Sequence, residues 1–266
     1  MGTDSAGWLE RNSGQANLPA DPGEHAATTG EVDHALVWGF RSRHLKAEIP
    51  NAFVADYAGQ HPGRVIGIAA VDPADPDAVD RLEGIAERSE FGGVTVCPAG
   101  QAFHPADTRA MRIYECCAER GLPVFFESGV DLAATAVTEY ARPVLLDEVA
   151  RTFRGLTLVV GDMGRPWVDE TLVLLAKHPN VHADVAALIR RPWQAYRALM
   201  SAHEHGVGGK LLFGSDFPFS TTSAAIEQLY RLNEVAHGTN LPTVPREVLR
   251  GIVERDVLSA LGLRRP

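Results

Sequence analysis

The segment RVIGIAAVDP (64–73) decides the fold class, because it is a short apolar run that ends in Val-Asp-Pro. Continuous apolar runs of this length are typical of strands buried on both faces, as in parallel sheets. Six further runs have the same character: HALVWGF (34–40), GGVTVCP (92–98), LPVFFESG (122–129), LTLVVGDMG (156–164), NVHADVA (180–186) and KLLFGSDFP (210–218). The sequence therefore predicts seven buried strands.

Helical segments separate these runs, and many of them begin with Asp, Ser, Thr or Pro and end before Gly or His-Pro, which are helix start and stop signals. Repeated strand–helix alternation indicates an α/β fold with a parallel sheet. No glycine-rich phosphate fingerprint follows any strand, which favours a barrel over an open doubly wound sheet. We predict a (β/α)8-type TIM barrel whose first strand is atypical or missing, since only seven of eight strands are found.

The first part of the chain differs from the rest in composition. Residues 1–31 are rich in Gly, Ala, Ser, Thr, Pro and Asp and contain few large apolar side chains. Such a segment buries little surface, so we predict an irregular N-terminal extension with at most a short helix or strand near Trp8. Residues 32–266 are predicted to form the barrel.

The composition and charge exclude several classes of protein and partner. The 266 residues are 45% hydrophobic and 22% charged, as in ordinary globular domains. The 25 Lys+Arg and 34 Asp+Glu residues give a net charge of −9, which repels phosphate backbones and anionic lipid. We expect neither nucleic acid nor a membrane as partner. Three cysteines provide no disulfide framework, and no signal peptide is recognisable, so we expect a cytoplasmic protein.

Polar side chains follow the ends of the predicted strands, and in a β/α barrel the reactive groups lie at these carboxyl ends. We interpret Asp72 and Asp184 as turn formers or helix caps. Glu127 and Asp162 each end a strongly apolar run and lie close to a glycine, so their carboxylates are expected to project into the barrel mouth together with Asp216. Further candidates at strand ends and in the following loops are Trp38, Arg41, Gln101, His104 and Arg142.

Four phrases of this sequence resemble the amidohydrolase-related family, the second amidohydrolase group, in the same order along the chain. They are CPAGQAFHPAD (97–107), EYARPVLLDEVARTF (139–153), GRPWVDETLVLLAKHPNVHADV (164–185) and LLFGSDFPF (211–219). The resemblance extends over about residues 32–263. It implies a TIM barrel and an activity among metal-dependent hydrolases and non-oxidative decarboxylases.

The resemblance also implies a metal site, and here the sequence departs from the family. The family holds a divalent metal with a His-x-His pair on the first strand, a His ending the fifth strand, often a His ending the sixth, and an Asp ending the eighth. Asp216 matches the Asp position, but no His-x-His precedes residue 34. Glu127 and Asp162 stand where the family has histidines. Three carboxylates do not suit zinc, so we predict no metal and no other cofactor.

Three functional alternatives remain open from the residues. Glu127, Asp162 and Asp216 could hold a harder ion such as Mg²⁺, Mn²⁺ or Fe. They could instead divide general acid and base roles without metal, with His104 assisting and Trp38, Arg41, Gln101 and Arg142 binding a small polar substrate. We favour this second reading, with hydrolysis or C–C cleavage as the reaction. The third is a non-catalytic barrel subunit that partners a metal-complete relative. A homo- or hetero-oligomer is expected because an open barrel seam exposes apolar surface.

Overall fold

The computed structural model describes residues 21–129 and 133–263, and a parallel sheet of seven strands lies at its centre. In spatial order the strands are β1 (Ala35–Trp38), β4 (Val65–Ala70), β5 (Phe91–Val96), β6 (Val124–Phe126), β7 (Leu158–Val160), β8 (Val181–Asp184) and β9 (Leu211–Leu212). Every neighbouring pair is parallel. Each of the seven predicted apolar runs overlaps one of these strands, so the α/β prediction is confirmed.

Helices connect and cover the strands. They are α1 (Pro22–Thr28), α2 (Asn51–Gln60), α3 (Ala78–Ala86), α4 (Pro98–Gln101), α5 (Thr108–Arg120), α6 (Asp147–Thr152), α7 (Val168–Lys177), α8 (Ala186–Ile189), α9 (Pro192–Glu204), α10 (Thr222–Tyr230), α11 (Arg246–Val253) and α12 (Val257–Leu261). The larger core lies between the sheet and these helices. In the described parts of the chain, none of the helices is both long and apolar enough to cross a membrane.

The sheet is curled, as a β/α barrel requires. The Trp38 ring on β1 contacts the Phe125 ring on β6 edge to face, with centroids 5.7 Å apart, although two strands lie between them in the sheet. A second apolar cluster lies inside the curl. It combines side chains from β4, β6, β7 and β9 with the C-terminal helix α12: Ile66, Ile68, Phe125, Val159, Leu212, Leu258 and Leu261. Side chains therefore fill the interior, and α12 completes it.

The sheet does not close, because no hydrogen-bonded pairing joins β1 to β9 in the described residues. Helix α1 contacts both helix α2 and the loop after β9. Its His25 ring contacts the Tyr57 ring of α2 at 5.5 Å and the Phe217 ring, which follows β9, at 5.2 Å. The helix begins at a side-chain cap, where Asp21 accepts a hydrogen bond from the Glu24 amide. The prediction near Trp8 lies outside the described residues.

The run HALVWGF differs from its prediction as one strand, because it contains parts of two. Gly39 follows β1, and the chain then forms an antiparallel hairpin of β2 (Phe40–Ser42) and β3 (Ala47–Ile49). A Cβ at Gly39 would lie 2.7 Å from the Asn51 side chain and 3.2 Å from the Ala70 amide, so only glycine permits this close passage. The apolar pattern contains no signal for the change of direction.

Candidate active site

Four carboxylates meet at the carboxyl ends of the last four strands of the sheet. Glu127 follows β6, Asp162 follows β7, Asp184 ends β8 and Asp216 lies in the loop after β9. We call these four residues the carboxylate cluster. All four are partly buried, and each of the three aspartates raises the pKa of at least one other member. The structure thus brings together the three acidic residues predicted from sequence and adds Asp184.

Backbone amides hold two members of the carboxylate cluster in place. Asp184 Oδ1 accepts hydrogen bonds from the amides of Asp162, at 3.1 Å, and Ala186, at 3.0 Å. Asp162 Oδ1 accepts one from the Ala187 amide at 2.8 Å. The first turn of α8 therefore donates to both carboxylates, and the ends of β7 and β8 are fixed relative to each other.

The backbone is strained where the carboxylates are presented. Asp162 has φ of 53°, Met163 has φ of 50° and Asp216 has φ of 58°, all in the left-handed region. Such a conformation costs a non-glycine residue on the order of 1 kcal/mol or more, and it is concentrated at functional sites. Contacts around these two loops offset the free-energy cost of the left-handed backbone. This strain is a second, independent indication that the strand ends are functional.

The carboxylate cluster changes the ionisation of its members. Burial raises the pKa of the Glu127 carboxyl to about 8, and the charges of the three aspartates add to the effect. Burial also raises the pKa of Asp162 and of Asp184, and the Asp162 charge raises that of Asp184 further. Four neighbouring carboxylates cannot all be ionised at neutral pH without a large electrostatic cost. Glu127 is consequently mostly protonated at pH 7, and Asp184, whose pKa is raised to about 7, is protonated in part.

Asp216 has a different environment because an arginine contacts it. Burial and the charge of Asp162 raise the pKa of Asp216 to about 6, while Arg190 opposes the rise. Nε and Nη2 of Arg190 lie 2.8 and 2.7 Å from Asp216 Oδ2. At pH 7 Asp216 is therefore mainly ionised while Glu127 is protonated. The two groups form an acid and a base in one site.

Two other predicted residues lie near the edge of this site. A small cleft beside Glu127 is lined by Tyr140 and Arg142 among other residues, and Arg142 also pairs with Glu170. His104 is exposed; its ring contacts the Tyr140 ring at 5.9 Å, and its Nδ1 accepts a hydrogen bond from the Ala106 amide. Arg142 thus borders the cleft directly, whereas His104 reaches it through Tyr140.

The remaining predicted binding residues lie on the opposite side of the barrel mouth. Arg41 pairs with Asp75 and with Glu48, and together they line a separate cavity of about 220 Å³. Gln101 is buried and accepts from the Cys97 amide while donating to the carbonyls of Arg41 and Val71. The described contacts of Gln101 therefore tie the hairpin to β4 and β5.

Trp38, the last of the predicted binding residues, is 37% exposed at the end of β1. Its described ring contact is the one to Phe125 inside the curl.

Sequence reasoning gave Asp72 and Asp184 the same structural role, and the structure separates them. Asp72 is fully buried and accepts hydrogen bonds from the amides of Arg43 and Ala74, as a turn former does. Asp184 also accepts from the start of a helix, but its charge belongs to the carboxylate cluster. Arg190 was missed as well. The helical segments carry many arginines, and no sequence signal distinguishes the one that reaches Asp216.

The donor set of this site does not fit the zinc site of the related hydrolases. Within residues 21–129 and 133–263, no group of three or more His, Cys, Asp or Glu side chains is arranged to hold a metal ion. Asp216, at the strand end where a metal ligand is expected, has its Oδ2 engaged by two nitrogens of Arg190. One oxygen each of Asp162 and Asp184 accepts from backbone amides. We therefore derive no reaction step through a metal.

Comparison with protein families gives one match, which extends over most of the chain. A family model described as Amidohydrolase matches residues 13–255. A search of curated proteins finds no match.

Solved structures with the same fold are numerous and distant in sequence. An uncharacterised TIM-barrel protein from Bordetella bronchiseptica superposes with a TM-score of 0.71 at 20% identity, covering 95% of this chain and 90% of its own. A probable 2-pyrone-4,6-dicarboxylic acid hydrolase from Acinetobacter baumannii gives 0.67 at 16% identity, covering 91% and 88%. The 5-carboxyvanillate decarboxylase of Sphingomonas paucimobilis gives 0.65 at 14% identity, covering 93% and 84%. At these identities the similarity establishes the curled α/β barrel fold.

Proposed function

The chain belongs to the amidohydrolase family, and we propose that it is an enzyme acting on a small polar molecule. The reaction is either a hydrolysis or the cleavage of a C–C bond, and carboxylates supply the acid and the base. The observation that supports this most is the carboxylate cluster, in which a protonated Glu127 and an ionised Asp216 share one site. Proton transfer by a positioned pair of this kind contributes about 10²–10⁴-fold to a rate. Structural neighbours that are a hydrolase and a decarboxylase support the two reaction classes.

The roles of the residues follow from their protonation states at neutral pH. Glu127 donates a proton to the substrate atom on which negative charge develops, because it holds its proton up to about pH 8. Asp216 accepts a proton, from water in a hydrolysis or from a substrate hydroxyl in a cleavage. Asp162 and Asp184 fix the loops and keep the site acidic. An acidic site of this kind suits a polyhydroxylated or cationic substrate.

A cysteine nucleophile is a poor alternative in the same region. Cys97 precedes α4 and is buried, and burial raises the pKa of its thiol to about 12. The thiolate is the reactive form, so almost none is present at neutral pH. Acid–base catalysis by carboxylates is the chemistry that this site supports best.

The pH dependence of turnover tests the pairing of acid and base. We expect kcat/KM to rise as Asp216 ionises near pH 6 and to fall as the Glu127 proton is lost near pH 8, with a maximum about pH 7. Steady-state kinetics between pH 4.5 and 9.5 on a panel that includes 2-pyrone-4,6-dicarboxylate and 5-carboxyvanillate, beside amines and sugar lactones, would measure it. A profile that stays flat from pH 5 to 9 contradicts the pairing.

Removal of metal gives a separate prediction. After dialysis against a chelator, we expect kcat/KM to stay within about twofold of its starting value, since no step requires a bound ion. Elemental analysis of the same samples by mass spectrometry is the necessary companion measurement. The prediction is contradicted if the protein contains stoichiometric zinc or manganese, if turnover is lost when that metal is removed, and if turnover returns when it is added back. That result would show that the family's metal chemistry operates here.

The assembly state and compartment stay predictions. Leu36 and Val37 on β1 are only partly buried, and Trp38 is exposed, which supports association through the open side of the sheet with a second barrel chain. A chain that turns over no member of the panel, and that stabilises a relative carrying the His-x-His pair when the two are mixed, would favour the non-catalytic alternative. A cytoplasmic location is expected in either case.

A further inference from the structure

Arg190 contacts the carboxylate cluster directly. Its Nε and Nη2 both lie within 2.8 Å of Asp216 Oδ2, and its guanidinium carbon lies 4.7 Å from the centre of the Phe219 ring. Asp216 and Phe219 belong to the same loop, so that loop holds the guanidinium by charge and by its aromatic face. Arg190 is therefore held in a defined position beside the carboxylates.

The chain places Arg190 there with one short segment. Helix α8 (Ala186–Ile189) begins where its first amides donate to Asp184 and Asp162, and Arg190 is the residue that directly follows it. The seven consecutive residues 184–190 thus include the carboxylate of Asp184 and the guanidinium that binds Asp216. An amide of the same segment orients Asp162. Hydrogen bonds at both ends fix this segment, so the position of Arg190 depends on the cluster it neutralises.

We infer that Arg190 is the resident cation of this site, in the place where related barrels have a divalent metal ion. A carboxylate oxygen that already accepts two N–H bonds offers little electron density to a metal, and a guanidinium beside it repels one. The inference deepens the proposed function, because it says what offsets the negative charge of the carboxylate cluster. Arg190 is then a positioning residue: it orients Asp216 and keeps it ionised.

Other arginines also act on the carboxylate cluster. Arg165 and Arg191 act on Asp162 through the same electrostatic field, in which Arg190 also takes part. They retain this influence when Arg190 is replaced. Removal of Arg190 alone therefore changes the direct contact to Asp216 while most of the surrounding positive charge persists.

The test uses Mn²⁺ as the probe and needs no substrate. Arg190→Gln removes the cation and leaves four carboxylates together, whereas Arg197→Gln removes an exposed arginine from α9 and serves as the matched control. We expect wild type and R197Q to bind no Mn²⁺ in calorimetry at about 1 mM, and to show no change in thermal midpoint. In R190Q the Asp216 carboxylate is released from the guanidinium and can turn toward an ion shared with its neighbours. R190Q is therefore expected to bind about one Mn²⁺ per chain, at least about tenfold more tightly than wild type, and to be stabilised by it.

Each outcome decides the inference. Stabilisation of R190Q by Mn²⁺ that disappears in the double variant R190Q/D216N supports it, since a merely structural ion pair gives no metal dependence. R190Q that is destabilised equally with and without Mn²⁺ overturns it, and so does wild type that binds Mn²⁺ as tightly as R190Q. If R190Q does not fold alone, refolding in MnCl₂ must restore it, and failure in both buffers also overturns the inference. Because turnover is not measured, failure of the proposed function leaves this test valid.

Discussion

Glu127→Gln is expected to reduce kcat/KM by about 10²–10⁴-fold, the loss typical of removing a general acid. Gln is nearly the same size as Glu and donates hydrogen bonds, but it cannot release a proton. The pKa of Glu127, raised to about 8 by burial and by the three aspartates, makes it the proton donor at neutral pH. The variant should also lose the alkaline fall of the pH profile, because that limb belongs to Glu127.

The same substitution is expected to stabilise the fold at alkaline pH. An unfolded Glu ionises near its ordinary value of 4.5, whereas the folded one retains its proton to about pH 8. Stability from this group is therefore complete at low pH and is lost as pH rises from 4.5 through 8. Gln has no such loss, so the free energy of unfolding of E127Q should exceed that of wild type by about 4–5 kcal/mol at pH 9 and by little at pH 4.

Urea unfolding of both proteins at pH 4, 7 and 9 measures this difference, with Glu119→Gln on the exposed face of α5 as the control. The control removes a glutamate of the same type outside the site, and we expect neither activity nor stability to change appreciably. An E127Q protein that keeps wild-type turnover excludes Glu127 as the acid. An E127Q protein that loses turnover but is less stable at pH 9 than wild type would show that burial does not strain this carboxylate.

Gly164→Ala is expected to destabilise the protein by about 3 kcal/mol or more, the largest destabilisation that we predict. Gly164 ends the loop that carries Asp162 and has φ of 66°. A Cβ there would lie 2.2 Å from Pro143 Cγ and 2.4 Å from Thr171 Oγ1. A proline ring cannot rotate away, so the loop has to move, and Asp162 moves with it. Loss of activity should accompany the loss of stability.

A second glycine separates crowding from backbone strain. Gly121 also has φ of 66°, at the end of α5, but no atom lies within 4 Å of its would-be Cβ. Gly121→Ala should cost about 1 kcal/mol, which is the left-handed backbone cost by itself. Urea unfolding of the two variants at pH 7 gives the comparison. Equal losses would mean that the close contacts of Gly164 relax without cost.

The fold was largely predictable from local patterns. A run such as RVIGIAAVDP contains enough apolar residues to require burial on both faces, and each of the seven runs overlaps a strand of the sheet. Turns that depend on a single close approach were not predictable. Gly39 follows β1 at a point where the Asn51 side chain and the Ala70 amide leave no room for a Cβ, and these residues are distant in sequence.

The candidate site was predictable in part. Glu127, Asp162 and Asp216 were identifiable because each follows an apolar run, and strand ends converge in a β/α barrel. Asp184 was not identified as a site residue because a helix-capping role accounts for it, and it does accept a hydrogen bond from the start of a helix. Its second role depends on how closely β7 and β8 place two acidic side chains.

Local sequence was sufficient to predict the buried parallel strands and the acidic groups at their ends, because both depend on the order of residues within short segments. What those groups can do depends on contacts between segments that are far apart in the chain. The raised pKa of Glu127 depends on burial and then on three carboxylates from three other strand ends, and an arginine 26 residues away favours the ionised state of Asp216. Burial and charge act through distance in space, which the linear pattern does not contain.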